Sequence, residues 1–464
     1  MQSSQPKLLK ALGLFTATLL VAGIMIGSGV YKKIVPTVQT GLSESWILFA
    51  WILAGIITMF GALNISGLSS LTEESGGVYE YLRLSFGNFF SFLFGWTDFT
   101  IIGTASVAAL SFIFSQTINT LITLPNPLQH WEHLSIGIIH PFADSGIKIL
   151  AISTIILLTG VNYRGVKESG TMNNIFTLAK ILGILFLIVL GLLHVSPEGP
   201  AVTSTVNNNI QHGTFFSTFF IVMLNVLWAY DGWLDISFVT GEIKNPKRNV
   251  PLAILIGVSI AMLLYVLVNY AYMHVLSLQQ LAAVKANQIG AAVVAETILG
   301  NTGETLIVVL IIISVFGSLN AVLLSHSRIY FRMAQEKFFF KKASRVHPKN
   351  KTPYISLLYT MVWSCILVIS GTFEILTEMV IFANFLFYGL LAYALIKMKK
   401  QGKIKVKMVG YPIIQIIIML FALTLIINTI ITQPQQSFIG MALVLSGIPF
   451  YFFFKRQNNT EEVI

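Results

Sequence analysis

The stretch VAGIMIGSGVYKKIVP, residues 21–36, lies inside the first long apolar run of the chain, residues 11–31. Gly23, Gly27, Ser28 and Gly29 crowd its middle. Glycine is a poor helix former, and two glycines flanking a serine invite the backbone to unwind. Gly23-x-x-x-Gly27 is also a helix-packing pattern, so the stretch alone reads equally well as close packing. An unwound segment inside a membrane has no water to satisfy its peptide groups. It is tolerated only where it is buried in protein or lines a water-filled cavity.

The rest of the chain is that of a membrane protein. Of 464 residues, 55% are hydrophobic and only 10% charged, against roughly 25% charged in soluble domains. An all-α, polytopic architecture follows. The single cysteine, Cys365, lies in an apolar run; it excludes an intramolecular disulfide and a cysteine metal site. His130, His133 and His140 in HWEHLSIGIIH read as chance residents of a loop. No metal and no cofactor are expected. The net charge of +10 sits in short loops between apolar runs, which points to a lipid bilayer as partner and not to nucleic acid. Lys7 and Lys10 precede the first run in the manner of a signal peptide. No small-residue cleavage site follows, and the run is long enough to span, so we expect it to be retained.

A helix needs about 20 apolar residues to cross a bilayer. Twelve runs qualify, near 11–36, 43–66, 86–115, 146–162, 172–194, 214–240, 249–275, 303–333, 353–371, 376–397, 410–431 and 436–455. Segment 286–299 is helix-prone but too mixed to span, and is expected in a loop. Twelve spans place 24 of the 29 Lys and Arg residues on one side. Lys32, Lys33, Lys148 and Lys285 fall on the other, and Lys180 alone falls within a span. The asymmetry predicts cytoplasmic termini and a multi-pass protein of the cell membrane.

A second anomaly occurs in the sixth run, VLWAYDGWLDISFVTGEIKNP, residues 226–246. Asp231-Gly232 interrupts it, and Asp235 follows one turn later. A carboxylate in a span is expensive and marks a functional site by default. The two breaks fall in the first run of each half if runs one to five and six to ten are equivalent. Paired interruptions of this kind point to a transporter built from inverted repeats. The repeats would cover 1–198 and 199–400, with two further helices in 401–464. The half-helix after Ser28 would offer free N–H groups and a positive dipole end to a carboxylate. The half-helices ending near Met25 and Tyr230 would offer free carbonyls to an ammonium. Both poles together fit a zwitterion, hence an α-amino acid.

At these residues the chain resembles the amino acid–polyamine–organocation superfamily of transporters, and within it the L-type amino acid transporter (LAT) family. GIMIGSGVY (23–31) is similar to the family's G-x-x-I-G-S-G-I-F, and SGGVYEYLRLSFG (75–87) to its S-G-G-x-Y-x-Y. WAYDGW followed by GEIKNPKRNVPLAI (241–254) is similar to Y-x-G-W and E-x-x-N-P-x-R-x-x-P. FGSLNAVLLSHSRIYFRMA (316–334), VHPKNKTPYIS (346–356) and LSGIPFYFFF (445–454) continue the match in order.

The resemblance implies a LeuT-like 5+5 inverted repeat with discontinuous helices 1 and 6, within twelve transmembrane helices. It implies alternating access, usually as sodium-independent exchange. By matching position, Gly27, Ser28 and Gly29 meet the substrate carboxylate. Carbonyls near Ile24, Met25, Trp228 and Asp231 meet the amino group, with Tyr230 and Gly232 in the same break. Trp228 takes the place of the gating aromatic. Lys180 in FTLAKILGIL holds the position of a lysine that replaces a sodium ion between helices one and eight. Lys180 stands out unaided as well. A buried ammonium must find carbonyls or a carboxylate, or lose its proton; the alternative is a lysine snorkelling to an interface.

The chain departs from the family in places. Gly67-Leu68-Ser69 stands where A-E-L-G is common, and Gly103-Thr104 where R-P is common. Asp231 often corresponds to a small residue. It could cap the second half of helix six, contact the substrate ammonium or a cationic side chain, or titrate. Residues 116–146 contain no cysteine, so a disulfide-linked heavy-chain subunit is not expected. A stand-alone prokaryotic member, monomeric or homodimeric, is. Ser106, Ser318, Asn320 and Asn384 are pocket candidates whose bland reading is hydrogen bonding between helices. Asp98 reads as an interfacial cap, and the basic loop 328–351 as an expression of the positive-inside rule. No H-E-x-x-H, serine–histidine pair or nucleotide loop is present, so an enzyme is not expected. The leading reading is a sodium-independent exchanger of neutral amino acids, with cationic ones open. The alternatives are a proton-coupled symporter and a membrane-embedded amino acid sensor.

Overall fold

Each apolar run of the sequence forms helix in the computed structural model, which describes residues 10–135, 140–194, 214–285 and 288–461. The expected repeat boundary at 198/199 lies outside the described residues. In chain order the helices are α1 (Leu14–Met25), α2 (Gly29–Lys32), α3 (Ile34–Val38), α4 (Glu44–Leu68), α5 (Val78–Phe86), α6 (Asn88–Thr97), α7 (Gly103–Leu121), α8 (Ser145–Arg164) and α9 (Val166–Leu193). There follow α10 (Phe215–Tyr230), α11 (Pro246–Val275), α12 (Leu278–Ala282), α13 (Gly290–Leu299), α14 (Asn301–Gln335), α15 (Tyr354–Ser370), α16 (Phe373–Lys400), α17 (Ile413–Thr432) and α18 (Pro434–Glu461).

Among the described residues, ten helical stretches are long and apolar enough to cross a membrane. The other two runs are α10 and α15, apolar but of 16 and 17 residues. α10 stops early because Asp231-Gly232 ends it. Segment 286–299 is corrected: Gly290–Leu299 is a helix and not a loop, because Ala291, Ala292, Val294 and Ala295 form a buried face. Among the described residues no strand forms; an isolated parallel bridge joins Leu12 to Ile243.

Centre and rim are distinguished by burial. Of the most apolar window in each stretch, 89% is buried in Asn88–Leu121 and 83% in Leu14–Lys32, but 33% in Pro434–Asn458. α1, α6 and α7 therefore form the middle, and α18 the rim. α14 acts as a post to which other segments are tied. Arg328 Nε lies 3.0 Å from Glu242 Oε1, both side chains fully buried. Four residues on, Arg332 Nε lies 2.7 Å from Glu80 Oε1. These two arginines are thus helical and ion-paired, not members of a basic loop as the sequence suggested.

The N-terminal segment is stapled to the same face. Ala11 and Leu12 N–H donate to the Glu242 carbonyl, and Lys244 N–H to the Leu12 carbonyl. Lys10 and Lys247 both reach Glu73, at 3.3 and 3.5 Å. The hydrogen bond from Lys10 holds the Glu73 carboxyl below the usual carboxylate range. The tie is therefore complete above the ordinary Glu pKa and fades as pH falls through the lowered one.

Candidate functional site

The first break is a tight turn. α1 ends at Met25, Ile26 has φ −75° and ψ 72°, and Gly27 N–H donates to the Met25 carbonyl at 2.7 Å. This is an inverse γ-turn. α2 then restarts after Ser28 but lasts only four residues. Its first backbone bond is Tyr31 N–H to the Ser28 carbonyl, 3.3 Å. The amides of Ser28, Gly29 and Val30 thus have no hydrogen-bond acceptor among the described residues.

The second break differs from expectation. α10 stops at Tyr230, and Asp231 has the extended ψ of 162°. Gly232 sits at φ +90°, where a side chain would be strained. No second α-helical half follows. Asp235–Ser237 and Thr240–Glu242 are 3₁₀ turns. Asp231 is accordingly not an N-cap. Its Oδ1 accepts from Asn384 Nδ2 at 2.9 Å and from the Tyr388 hydroxyl at 3.0 Å.

The two breaks touch. A Cβ on Gly29 would lie 2.4 Å from Ala229 Cα, and one on Gly232 would lie 2.3 Å from Ile24 Cγ2. Side chains from three helices satisfy the carbonyls that unwinding frees. The Gly23 carbonyl accepts from Lys180 Nζ and Ser318 Oγ, each at 2.7 Å. Ile26 accepts from Ser314 at 3.0 Å. The Tyr265 hydroxyl lies 2.6 Å from the Met25 carbonyl and 2.9 Å from that of Ala229, so it bridges both breaks.

Several expectations are corrected here. The Met25 carbonyl is engaged by Tyr265, and that of Trp228 by Asp231 N–H at 3.2 Å. Of the carbonyls expected to be free, those of Ile24 and Asp231 accept no hydrogen bond among the described residues. Ser318 holds the break instead of walling a pocket. Asn320 Oδ1 accepts from Asn162 at 2.8 Å, which fixes α8 to α14. Lys180 is 1% exposed; it bridges α1 and α14 and does not snorkel.

A cavity opens at the breaks. Ile24, Met25, Gly27, Ser28 and Gly29 line one end, and Trp228, Asp231 and Gly232 one side. Ser106 and Asn384 also line it; Tyr230, Lys180, Ser318 and Asn320 do not. It continues along α7 and α6 from Leu110 to Phe94, roughly 24 Å at helical rise. Trp228 Nε1–H donates to Ser28 Oγ at 3.2 Å, and its ring stands edge-on to Phe373. The Lys32 ammonium lies 4.4 Å from the centre of that Phe373 ring. Tyr230 turns away: its hydroxyl donates to the Trp51 carbonyl at 3.0 Å. It lines a second cavity, between α4, α10, α16 and α17, which shares Asp231 and Tyr388 with the first.

Four titratable residues line the main cavity that the sequence reading did not assign to it: Asp98, Asp235, His326 and Tyr388. His326 Nδ1 lies 2.9 and 3.0 Å from the two Asp98 carboxylate oxygens, and Nε2 lies 3.1 Å from Asp235 Oδ2. Tyr330 donates to Asp98 Oδ2 at 2.9 Å, and Ser325 to Asp235 Oδ2 at 3.1 Å. Asp98 is thus not an interfacial cap. It is fully buried, in a π-helical turn, Asp98–Ile102. The missing arginine of R-P has a physical counterpart. A Cβ at Gly103 would lie 2.5 Å from His326 Nδ1, so only glycine leaves room for the imidazole. His130 and His133 have ring centres 6.5 Å apart. Among the described residues no group of three His, Cys, Asp or Glu side chains could hold a metal.

Comparison with known proteins gives a consistent picture. A family model described as amino acid permease matches residues 12–454. The chain is 30% identical over 463 residues to the serine/threonine exchanger SteT of Bacillus subtilis (strain 168), covering 99% of this chain and 100% of that one. It is 28% identical over 447 residues to the b(0,+)-type amino acid transporter 1 of Mus musculus, covering 96% and 88%. It is 29% identical over 452 residues to the large neutral amino acids transporter small subunit 2 of Mus musculus, covering 96% and 80%.

Proposed function

Because the chain belongs to the amino acid permease family, a family of transporters and not of enzymes, we propose that it exchanges neutral L-amino acids across the cell membrane without sodium. It does so by alternating access. Its twelve spans form two inverted five-helix repeats, 1–198 and 199–400, with both termini cytoplasmic, and 401–464 adds two helices.

The observation that carries the reading is the contact between the two breaks. One pole offers the free amides of Ser28, Gly29 and Val30, which suit a carboxylate. The other offers the Ile24 carbonyl and the Asp231 carboxylate, which suit an ammonium. Lys180 supports sodium independence, because its ammonium occupies the space between α1 and α14 and bonds the Gly23 carbonyl. Trp228 is the gate. Ser106 and Asn384 border the substrate. Serine and threonine, the amino acids in the name of SteT, are the first candidates.

The test is inhibition of labelled L-serine exchange in sodium-free proteoliposomes by blocked analogues. Serine methyl ester and N-acetylserine each lose one charged pole. Each is expected to compete about 10- to 100-fold more weakly than L-serine, the worth of a charge-assisted hydrogen bond. Equal competition by either analogue would remove the zwitterion from the site.

A further inference from the structure

We propose that Asp98, His326 and Asp235 form a proton-binding site and that the transport cycle carries this proton together with the amino acid. The inference rests on the reading that the main cavity is the transport site.

The argument is one of hydrogen counting. Each ring nitrogen of His326 lies within hydrogen-bond distance of a different carboxylate. A neutral imidazole has one N–H and one lone pair. With both carboxylates ionised, that lone pair would face a carboxylate oxygen at about the distance of a hydrogen bond, which is repulsive. Both contacts are satisfied only if the triad holds one further proton, as imidazolium or as a carboxylic acid. The state described is then a triad of charge −1. Without the proton the charge is −2, in a site where Asp98, Asp235 and His326 are all buried. Uncompensated charge at such depth is costly.

Among the described residues, no other cation lies against the triad. Asp98 faces the imidazole from the π turn, Asp235 from the 3₁₀ turn, and Tyr330 lies one turn along α14. Phe238 covers the ring edge-on at 5.2 Å. Asp231 and Tyr388 line the same cavity. Arg328 is committed to Glu242. Two other candidate proton carriers are less suited. Lys180 lies off the cavity, and Asp231 already accepts from two neutral donors.

The triad also joins parts that alternating access must separate. Asp98 and His326 belong to the closely packed pair α7 and α14 with its π turn. Asp235 belongs to the segment after the second break. When that segment leaves α14, Nε2–H loses its acceptor and meets water. The N–H bond breaks, its electron pair stays on the nitrogen, and a water molecule leaves as hydronium. Opening to the opposite side keeps the triad closed but connects it through the cavity to the other solution, from which it regains the proton.

The experiment uses the full chain in sodium-free proteoliposomes and a panel of the twenty labelled L-amino acids. Empty vesicles receive a gradient, acidic outside, with a pH-sensitive dye within. One proton per amino acid supports about tenfold accumulation per pH unit. Accumulation with internal acidification is expected in the wild type. The ratio of uptake with and without the gradient should fall to one in His326→Gln and Asp235→Asn, each checked for folding by size-exclusion profile. Exchange in loaded vesicles with no response to the gradient and no acidification would overturn the proton site and leave the exchange reading intact. A gradient response that survives both substitutions would remove it from the triad. Absence of flux in loaded and empty vesicles alike would overturn the transport reading and the proton site with it.

Discussion

Gly29→Ala is expected to lower transport at least about 100-fold, a loss of about 2.7 kcal/mol or more at the transition state. The new Cβ would lie 2.4 Å from Ala229 Cα and 2.6 Å from Ala229 Cβ. Carbon atoms in contact prefer about 3.5–4.0 Å. The obstacle is backbone and not the tip of a flexible chain, so the two breaks must part by about 1 Å. Overpacking costs typically about 1–3 kcal/mol, and here it acts on the contact that defines the site. Gly160→Ala is the matched control. Nothing lies within 4 Å of its Cβ position and it sits inside α8, so alanine should stabilise by about 0.5–1 kcal/mol. Exchange assays and thermal melts of both variants check the contrast. Wild-type exchange by Gly29→Ala would show that the breaks need not touch.

Lys180→Ala is expected to reduce exchange by about 100-fold, since a charge-assisted hydrogen bond is worth about 1.5–3 kcal/mol. The substitution removes the bonds to the Gly23 carbonyl at 2.7 Å and to Ser318 Oγ at 2.9 Å. Ser318 still reaches the Gly23 carbonyl, so the protein should fold. What is lost is the tie of α9 to α1 and α14. Lys180→Arg should not restore the rate, because a planar fork needs more room than a compact ammonium. The check is exchange rate against melting temperature for both variants. Unchanged exchange in Lys180→Ala would make the lysine a passive core residue.

The backbone of the site was legible in the sequence, and its side-chain supports, Lys180 apart, were not. Gly27-Ser28-Gly29 and Asp231-Gly232 break helices because glycine and a buried carboxylate are local signals. Lys180 was legible because a lysine in an apolar run is rare. Tyr265 and Ser314 gave no signal, since a tyrosine or serine in an apolar helix usually bonds its own backbone or a neighbour. His326 was passed over for the same reason: a lone histidine says nothing until its partners are known. Those partners come from residues 98 and 235, and no sequence spacing connects them. The helical half expected after Gly232 failed for a different reason. Its apolar pattern, LDISFVTG, reports burial, which two 3₁₀ turns satisfy as well as one helix. Asn320 and Ser318 show the converse. Both are polar groups in the correct helix, but they bond other helices instead of facing the cavity.

Buried side chains of α14 tie several other segments together. His326, Arg328 and Arg332 meet carboxylates from four other segments: the π turn, the turns after the second break and α5. Removing one partner from a buried pair leaves a charge unpaired and costs about 3–5 kcal/mol. The packing of these segments on α14 is therefore largely electrostatic. Beside the cavity, Trp228 and Phe373 pack edge-on.

The most direct test of the site is uptake of labelled L-serine and L-threonine into sodium-free proteoliposomes, loaded with unlabelled amino acid or empty, for the wild type and Ser28→Trp. Ser28 lines the cavity, and an indole there fills the space between the two breaks. The expected result is uptake in loaded vesicles that exceeds uptake in empty ones, without sodium, and its loss in Ser28→Trp while the variant keeps its size-exclusion profile. Wild-type exchange by Ser28→Trp would contradict the assignment, because the amino acid would then be crossing by a path that avoids the break.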